Sequence, residues 1–309
     1  MNSFTMASEA STPYPKIQYQ LEQLIAHHSF NDIYLAHRTH YKIAVKKTLL
    51  DYNREKAQAL AALVDAELQH ILTFDHPNLV RHLAHYNSLQ AKPVEVPEYI
   101  ILMEYCSGGT LHAASQFHIP APLIQKWTRQ IVDGLVYLHA QNILHGHIKG
   151  SHVLLSSPDW NTCQMKIGHL DAAKCLQREV AAGKEADDGE GTCAFMAPDC
   201  ILGGGNARKS DVWSLGCVVL EMISGSLRFV KEVDGKQIEL KNDLAIMYFV
   251  CKGGSPEIPR ELPNELRAFV AYCLKRDPVF RPLAAELLYT NFLTLANVPQ
   301  WYDPRPRRN

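Results

Sequence analysis

The sequence has no long uninterrupted apolar run, no marked excess of charge of either sign and no paired-cysteine spacing, and each absence removes a class of protein. No stretch is apolar for long enough to span a bilayer, and no basic segment leads into an apolar one at the N-terminus. No Gly follows Met1, so a myristoylation signal is missing as well. A formal net charge of −1 gives no electrostatic reason to expect nucleic acid or an anionic membrane as partner. The eight cysteines, Cys106, Cys163, Cys175, Cys193, Cys200, Cys217, Cys251 and Cys273, are dispersed without a C-x-x-C pair, and several stand inside apolar runs. They are expected as buried thiols in a reducing compartment, which makes the cytoplasm the expected location.

What is present is enough for a large core. A chain of 309 residues with ordinary apolar and charged fractions is long enough for a substantial globular domain. Residues 1–16, rich in Ser, Thr and Pro, and the Pro/Arg-rich residues 298–309 are expected as tails. The first third carries strand-like runs at 31–36, 41–46 and 99–103 around one helical segment, about 55–74, where Leu60, Leu63, Val64, Leu68 and Ile71 recur at helical spacing. After Ser107-Gly108-Gly109 the pattern turns helical. Leu123, Trp127, Ile131, Leu135 and Leu138 mark one amphipathic helix, and residues 212–223 are apolar nearly all round, as a buried central helix requires. Further helices are expected from Asn264, a candidate N-cap, and after Pro282.

A series of short motifs runs through this frame in one order. They are Ile43-Ala44-Val45-Lys46, Glu67, His76-Pro77-Asn78-Leu79-Val80, Met103-Glu104-Tyr105-Cys106, Ile143-Leu144-His145-Gly146-His147-Ile148-Lys149-Gly150, Lys166-Ile167-Gly168-His169-Leu170-Asp171, Gly191-Thr192, Met196-Ala197-Pro198-Asp199, Asp211-Val212-Trp213-Ser214-Leu215-Gly216, and Arg276-Asp277-Pro278 through Arg281-Pro282. In content and order they resemble the protein kinase family, and in detail its MEKK-type MAP kinase kinase kinases, a serine/threonine group. The resemblance implies a bilobed α+β fold over 17–297. It would have a small antiparallel-sheet N-lobe with one main helix at 17–104, a hinge at 105–109 and a larger, mostly helical C-lobe at 110–297.

The resemblance also implies roles for particular residues. Lys46 and Glu67 match the lysine–glutamate pair that positions the lysine on the nucleotide's α- and β-phosphates. Ile33, Ala44 and Leu154 match the residues that sandwich adenine, Glu104 and Cys106 the hinge, and Lys149 the lysine near the γ-phosphate. Asp211 matches the aspartate that anchors the catalytic loop, and Arg281 is expected to pair with Asp199.

The sequence departs from the family where the chemistry lies. Phosphoryl transfer needs anionic oxygens that hold magnesium against the phosphates and an acceptor for the substrate hydroxyl's proton. His147 stands at the position of the catalytic aspartate, His152 at that of the magnesium-binding asparagine, and His169 at that of the metal-binding aspartate. Magnesium prefers oxygen ligands, so imidazoles replace them poorly. Asp171 lies two residues on, roughly 6–7 Å along an extended chain. Ala26, His28 and Asn31 stand where the phosphate-covering loop has glycines, and their side chains hinder close backbone approach. Gly146 replaces the arginine that would gather an activation-loop phosphate. Residues 172–191 contain no Ser, Thr or Tyr, so phosphorylation within them is excluded, and Asp187, Asp188 and Glu190 form an acidic stretch there. Thr192 is expected as a loop-anchoring hydroxyl.

Two functional readings follow. One is a pseudokinase: a scaffold or allosteric regulator in protein phosphorylation, with a kinase or MAP kinase cascade component as partner and no required cofactor. Any ATP bound would be held weakly or without magnesium. The other is a weakly active ATP-dependent serine/threonine kinase with His147 as base. Two readings of the histidines also stand side by side, hydrogen-bonded structural residues or a site for zinc formed by His147, His152 and His169.

Overall fold

The structure, a computed structural model, describes residues 18–27, 31–50, 54–88, 98–170, 192–203 and 207–296. Both tails, His28, Asp171, the acidic stretch 187–190 and the side chains of Leu60, Leu63 and Thr192 lie outside the described residues. By backbone contacts the chain divides into two compact units, one containing β1–β5 and α1 and the other the remaining elements named below.

The first unit is built on strands β1 (Gln20–His27), β2 (Asn31–Arg38), β3 (Tyr41–Leu49), β4 (His82–Asn87) and β5 (Glu98–Glu104). They form one antiparallel sheet in the order β1-β2-β3-β5-β4. Alternation sends Ile43 and Val45 of β3 to one face, where they pack with Ala36, Ile100 and Leu102. Helix α1 (Arg54–Ile71) buries Ala57, Ala61, Val64, Leu68 and Ile71, a stripe at the 3.6-residue period, and lies against β4. A polar network ties this helix to the sheet. The Tyr99 hydroxyl donates to Asp65 Oδ1 (2.5 Å) and accepts from His85 Nδ1 (2.6 Å), and Gln69 Nε2 donates to His85 Nε2 (3.2 Å). Burial pushes the His85 imidazole below its ordinary pKa, against the attraction of Asp65.

The second unit is mostly helical, with α2 (Ala121–Ala140), α3 (Ala207–Ser224), α4 (Asp243–Cys251) and α5 (Asn264–Cys273) as its longer helices. Residues 210–223 of α3 are all buried, as the all-round apolar pattern requires. In α2 the core residues are Ile124, Trp127, Ile131, Leu135 and Leu138. Leu123, expected on that face, is half-buried, and Ile124 takes the core position beside it. Asn264 is the first helical residue of α5 rather than its N-cap. Pro263 takes the cap position, and the Asn264 side chain accepts from Arg267 instead (2.5 Å). After Pro282 come two single helical turns, Ala284–Leu287 and Asn291–Thr294.

Two short hairpins complete the unit. Strands β6 (Val153–Leu155) and β7 (Met165–Ile167) pair antiparallel behind the motif loop, and Ile167 N donates to Asn78 O (2.8 Å). Strands β8 (Phe229–Val233) and β9 (Lys236–Leu240) are joined by Asp234-Gly235, both at positive φ, the signature of a two-residue hairpin turn.

Candidate active site

The loop from His145 to His152 owes its shape to one buried carboxylate. Asp211, fully buried on α3, accepts from the backbone N of His145 (3.0 Å) and Gly146 (2.6 Å) and from His139 Nε2 (2.9 Å). Three donors on an ionised acceptor form strong hydrogen bonds and hold the turn. Gly146 adopts φ 65, so the residue at this position must tolerate the left-handed region. His145 locks the next segment. Its Nε2 donates to Gly168 O (2.8 Å), which leaves a lone pair on Nδ1 to accept from His147 N (3.2 Å). His139 was not singled out by any motif. Its part follows from a contact across 72 residues, for which the sequence carries no periodic signal.

His147 and His152 come together on this loop. His152 Nδ1 donates to His147 O (2.8 Å), and the two rings stand edge to face with centroids 4.6 Å apart. Gly168 N, at the end of the β6–β7 hairpin, donates to His152 O (2.8 Å). His147, His152 and His169 are each half-buried, and His169 has φ 57.

Lys149 is buried in an extended backbone conformation. Gly150 follows it because the space is filled: a Cβ there would collide with Glu221 Oε2. Glu221, itself buried, accepts from His112 Nδ1 through Oε1 (2.6 Å). That hydrogen bond raises the His112 pKa, with partial burial opposing it. Leu154 lies half-buried on β6, bridged to Thr110.

In the sheet unit, Lys46 is buried on β3 opposite Ile33 of β2 and Ile101 of β5. Ala44, two residues earlier on the same face of β3, pairs with Leu35 and Met103. Glu67 lies on an exposed part of α1. Glu104 ends β5 and accepts from Arg81 N through Oε1 (2.7 Å), and Cys106 is buried just beyond it. Ala26 belongs to β1, opposite Ile33, and Asn31 opens β2, where its Oδ1 accepts from the Thr48 hydroxyl (2.5 Å).

The expected Arg281–Asp199 pair is formed. Arg281 NH2 donates to Asp199 Oδ1 (2.7 Å), Nε donates to Lys275 O and NH1 to Lys209 O (both 2.9 Å), and the guanidinium lies over Trp213 at 5.3 Å. Burial pushes the Asp199 carboxyl up. The Arg281 and Ser210 hydrogen bonds outweigh it and hold the group below the ordinary carboxylate range.

A five-stranded antiparallel sheet with one helix, a loop hung on a buried aspartate and an arginine clamp fit a kinase domain, and the family model agrees: the protein kinase domain matches residues 19–293. The chain belongs to the protein kinase family. Within it, the chain is similar to MAP kinase kinase kinases. It is 30% identical over 288 residues to mitogen-activated protein kinase kinase kinase 2 of Arabidopsis thaliana, covering 91% of this chain and 41% of that protein. It is 30% identical over 286 residues to mitogen-activated protein kinase kinase kinase ANP1 of the same plant, covering 90% and 40%. Over 219 residues it is 35% identical to mitogen-activated protein kinase kinase kinase 4 of Mus musculus, covering 69% and 12%. The chain thus spans well under half the length of these relatives. Among the described residues, no helix is long and apolar enough to cross a membrane.

Proposed function

We propose that this domain is a pseudokinase: a kinase-fold scaffold or allosteric regulator of a phosphorylating partner in a MAP kinase-type cascade, with no cofactor required for that role. The observation that carries the reading is the presence of imidazoles at His147, where the family's pattern has the catalytic aspartate, and at His152 and His169, where it has the magnesium-binding asparagine and aspartate. The contrast with the intact fold supports it. Asp211 still anchors the loop and Arg281 still clamps Asp199, so the side chains that maintain the kinase shape are present where those that hold magnesium are replaced. Any ATP bound is held weakly or without magnesium. The free cysteines among the described residues suit a reducing compartment, the cytoplasm.

Thermal stability with ATP, in the presence and absence of Mg²⁺, tests the loss of metal-dependent nucleotide binding. A shift that requires Mg²⁺ refutes the reading. Phosphotransfer turnover in Mg²⁺ or Mn²⁺ that Lys46→Met abolishes refutes it as well. The cascade assignment is tested by affinity capture, and recovery of no kinase or cascade component sinks it.

A second reading, a weakly active serine/threonine kinase, is favoured by the buried Lys46 and Lys149 and by the names of the relatives, which are kinases. Under it His147 accepts the substrate hydroxyl's proton. The same turnover assay separates the two.

A further inference from the structure

We infer that the cleft between the β8–β9 hairpin and the segment that follows α4 is a docking site for a basic segment of a partner protein, with an arginine side chain as its anchor. The cleft has a volume of about 440 Å³ and is lined by Val230, Glu232 and Gln237 of the hairpin and by Phe249, Pro256 and Glu257. That volume falls in the range of roughly 300–1,000 Å³ found for clefts that hold a ligand. Strand alternation puts Val230 and Glu232 on one face of β8, and their cross-strand partners Glu239 and Gln237 share that face. On the other wall, Gly254 lies directly on the Phe249 ring. A Cβ there would come 2.3 Å from Phe249 Cε1, so the close approach requires glycine. Glu257 N donates to Arg228 O (2.7 Å), which ties this wall to the root of the hairpin.

Charge and exposed apolar surface select the occupant. Among the described residues that line the cleft there is no Lys, Arg or His, while Glu232 and Glu257 bring two carboxylates and Phe249 a half-buried ring. The hairpin's own cations, Lys231 and Lys236, alternate onto its opposite face. At the margin Arg228 pairs with Glu257 (3.1 Å), but both side chains are about half exposed, and such a pair contributes little against an incoming cation. Lys252 lies over the Tyr248 ring instead (5.6 Å). An aromatic wall beside carboxylates suits arginine above lysine, because a guanidinium stacks on a ring while its fork donates to a carboxylate. The surface continues on α4, where eight of nine residues are apolar and only Ile246 and Val250 are buried. Leu244 and Tyr248, one turn apart, are 69% and 64% exposed, and apolar surface of this kind beside a charged cleft receives the apolar neighbours of the anchoring arginine. An acidic segment would meet like charge, and a purely apolar one would cover Glu232 and Glu257 without a partner. No residue of the 145–169 loop takes part, so the docking site stands whether or not the domain transfers phosphate.

Fluorescence anisotropy of the full chain with three labelled heptapeptides tests the site: one of arginine, leucine and glycine, one with glutamine in place of every arginine, and one with glutamate there. The expected result is saturable binding of the arginine peptide, binding of the glutamine peptide about 10-fold weaker or more, and none of the glutamate peptide. Glu232→Lys should lower the affinity for the arginine peptide about 10-fold or more, and Phe249→Leu about 3-fold or more. Glu22→Lys, which makes the same change of charge on β1, should lower it by less than about 2-fold. Glu232 and Glu22 are both exposed on strands, and thermal unfolding establishes that each variant is folded. Equal losses in Glu232→Lys and Glu22→Lys reduce the binding to general charge attraction and overturn the inference, and so does the absence of saturable arginine-peptide binding below about 1 mM. Sedimentation velocity supplies the last arm: a dimer of the native chain that Glu232→Lys abolishes makes a second copy of the chain the occupant, and overturns it too.

Discussion

Replacing Asp211 with asparagine keeps the shape of the side chain and removes its charge, and the structure says what this costs. The carboxylate accepts three hydrogen bonds, from His145 N at 3.0 Å, Gly146 N at 2.6 Å and His139 Nε2 at 2.9 Å. Bonds to a charged acceptor contribute about 1.5–3 kcal/mol each and neutral ones about 0.5–1.5 kcal/mol. Asparagine offers one oxygen. Turned toward His145 and His139, it retains two weakened bonds and faces the Gly146 N–H with an amide donor. Gly146 is exposed, so water takes over part of that loss. The net destabilisation comes to about 2–4 kcal/mol, a large share of the roughly 5–15 kcal/mol by which domains are stable. The corresponding fall in melting temperature is about 5–15 °C. Urea unfolding followed by tryptophan fluorescence measures it, since Trp213 is buried two residues away on the same helix. Amide exchange should show His145 and Gly146 losing protection while β6–β7 keeps its own. A loss below about 1 kcal/mol with unchanged protection refutes the argument that this charge anchors the loop.

Other parts of the second unit yield predictions of the same kind. Arg281→Met leaves the buried Asp199 without its partner and should cost about 3–5 kcal/mol in denaturant unfolding, part of which Asp199→Ala in the same chain restores. The depressed Asp199 carboxyl contributes stability that is complete above its unfolded pKa, about 3.9, and is lost as pH falls through its lower folded value. Acid unfolding of the native chain and Asp199→Asn should therefore converge only well below the ordinary carboxylate range. His112 has the opposite sign: its raised pKa gives a contribution fully present below about 6.5 and lost as pH rises through the folded value, so His112→Gln should destabilise at pH ~5.5 and change little at pH ~9. Gly134→Ala puts a methyl group 2.9 Å from both Asn78 O and Ile167 Cδ1, and should cost about 1–3 kcal/mol by overpacking.

The sequence by itself determined the family, the order of the elements that carry the motifs, the identities of the three histidines and the two anchoring groups Asp211 and Arg281. These are legible because they depend on local pattern: strand alternation, the helical stripe through Val64, Leu68 and Ile71, and short motifs of fixed spacing. The Asp234-Gly235 turn was equally local, and its two positive-φ residues between alternating strands mark the β8–β9 hairpin to anyone who looks for it. Only the tertiary structure decided which donors meet Asp211, that His112 closes on Glu221, and that Tyr99 links Asp65 to His85. These partners are 72, 109 and 34 or fewer residues apart, and no periodicity connects them. It also decided smaller matters, such as Ile124 rather than Leu123 in the core and Pro263 rather than Asn264 at the cap, where packing and chain direction outweigh propensity. The meeting of His147 and His152 belongs to both: the residue types are sequence, while the edge-to-face approach of their rings comes from a loop held by hydrogen bonds that only the folded chain can make.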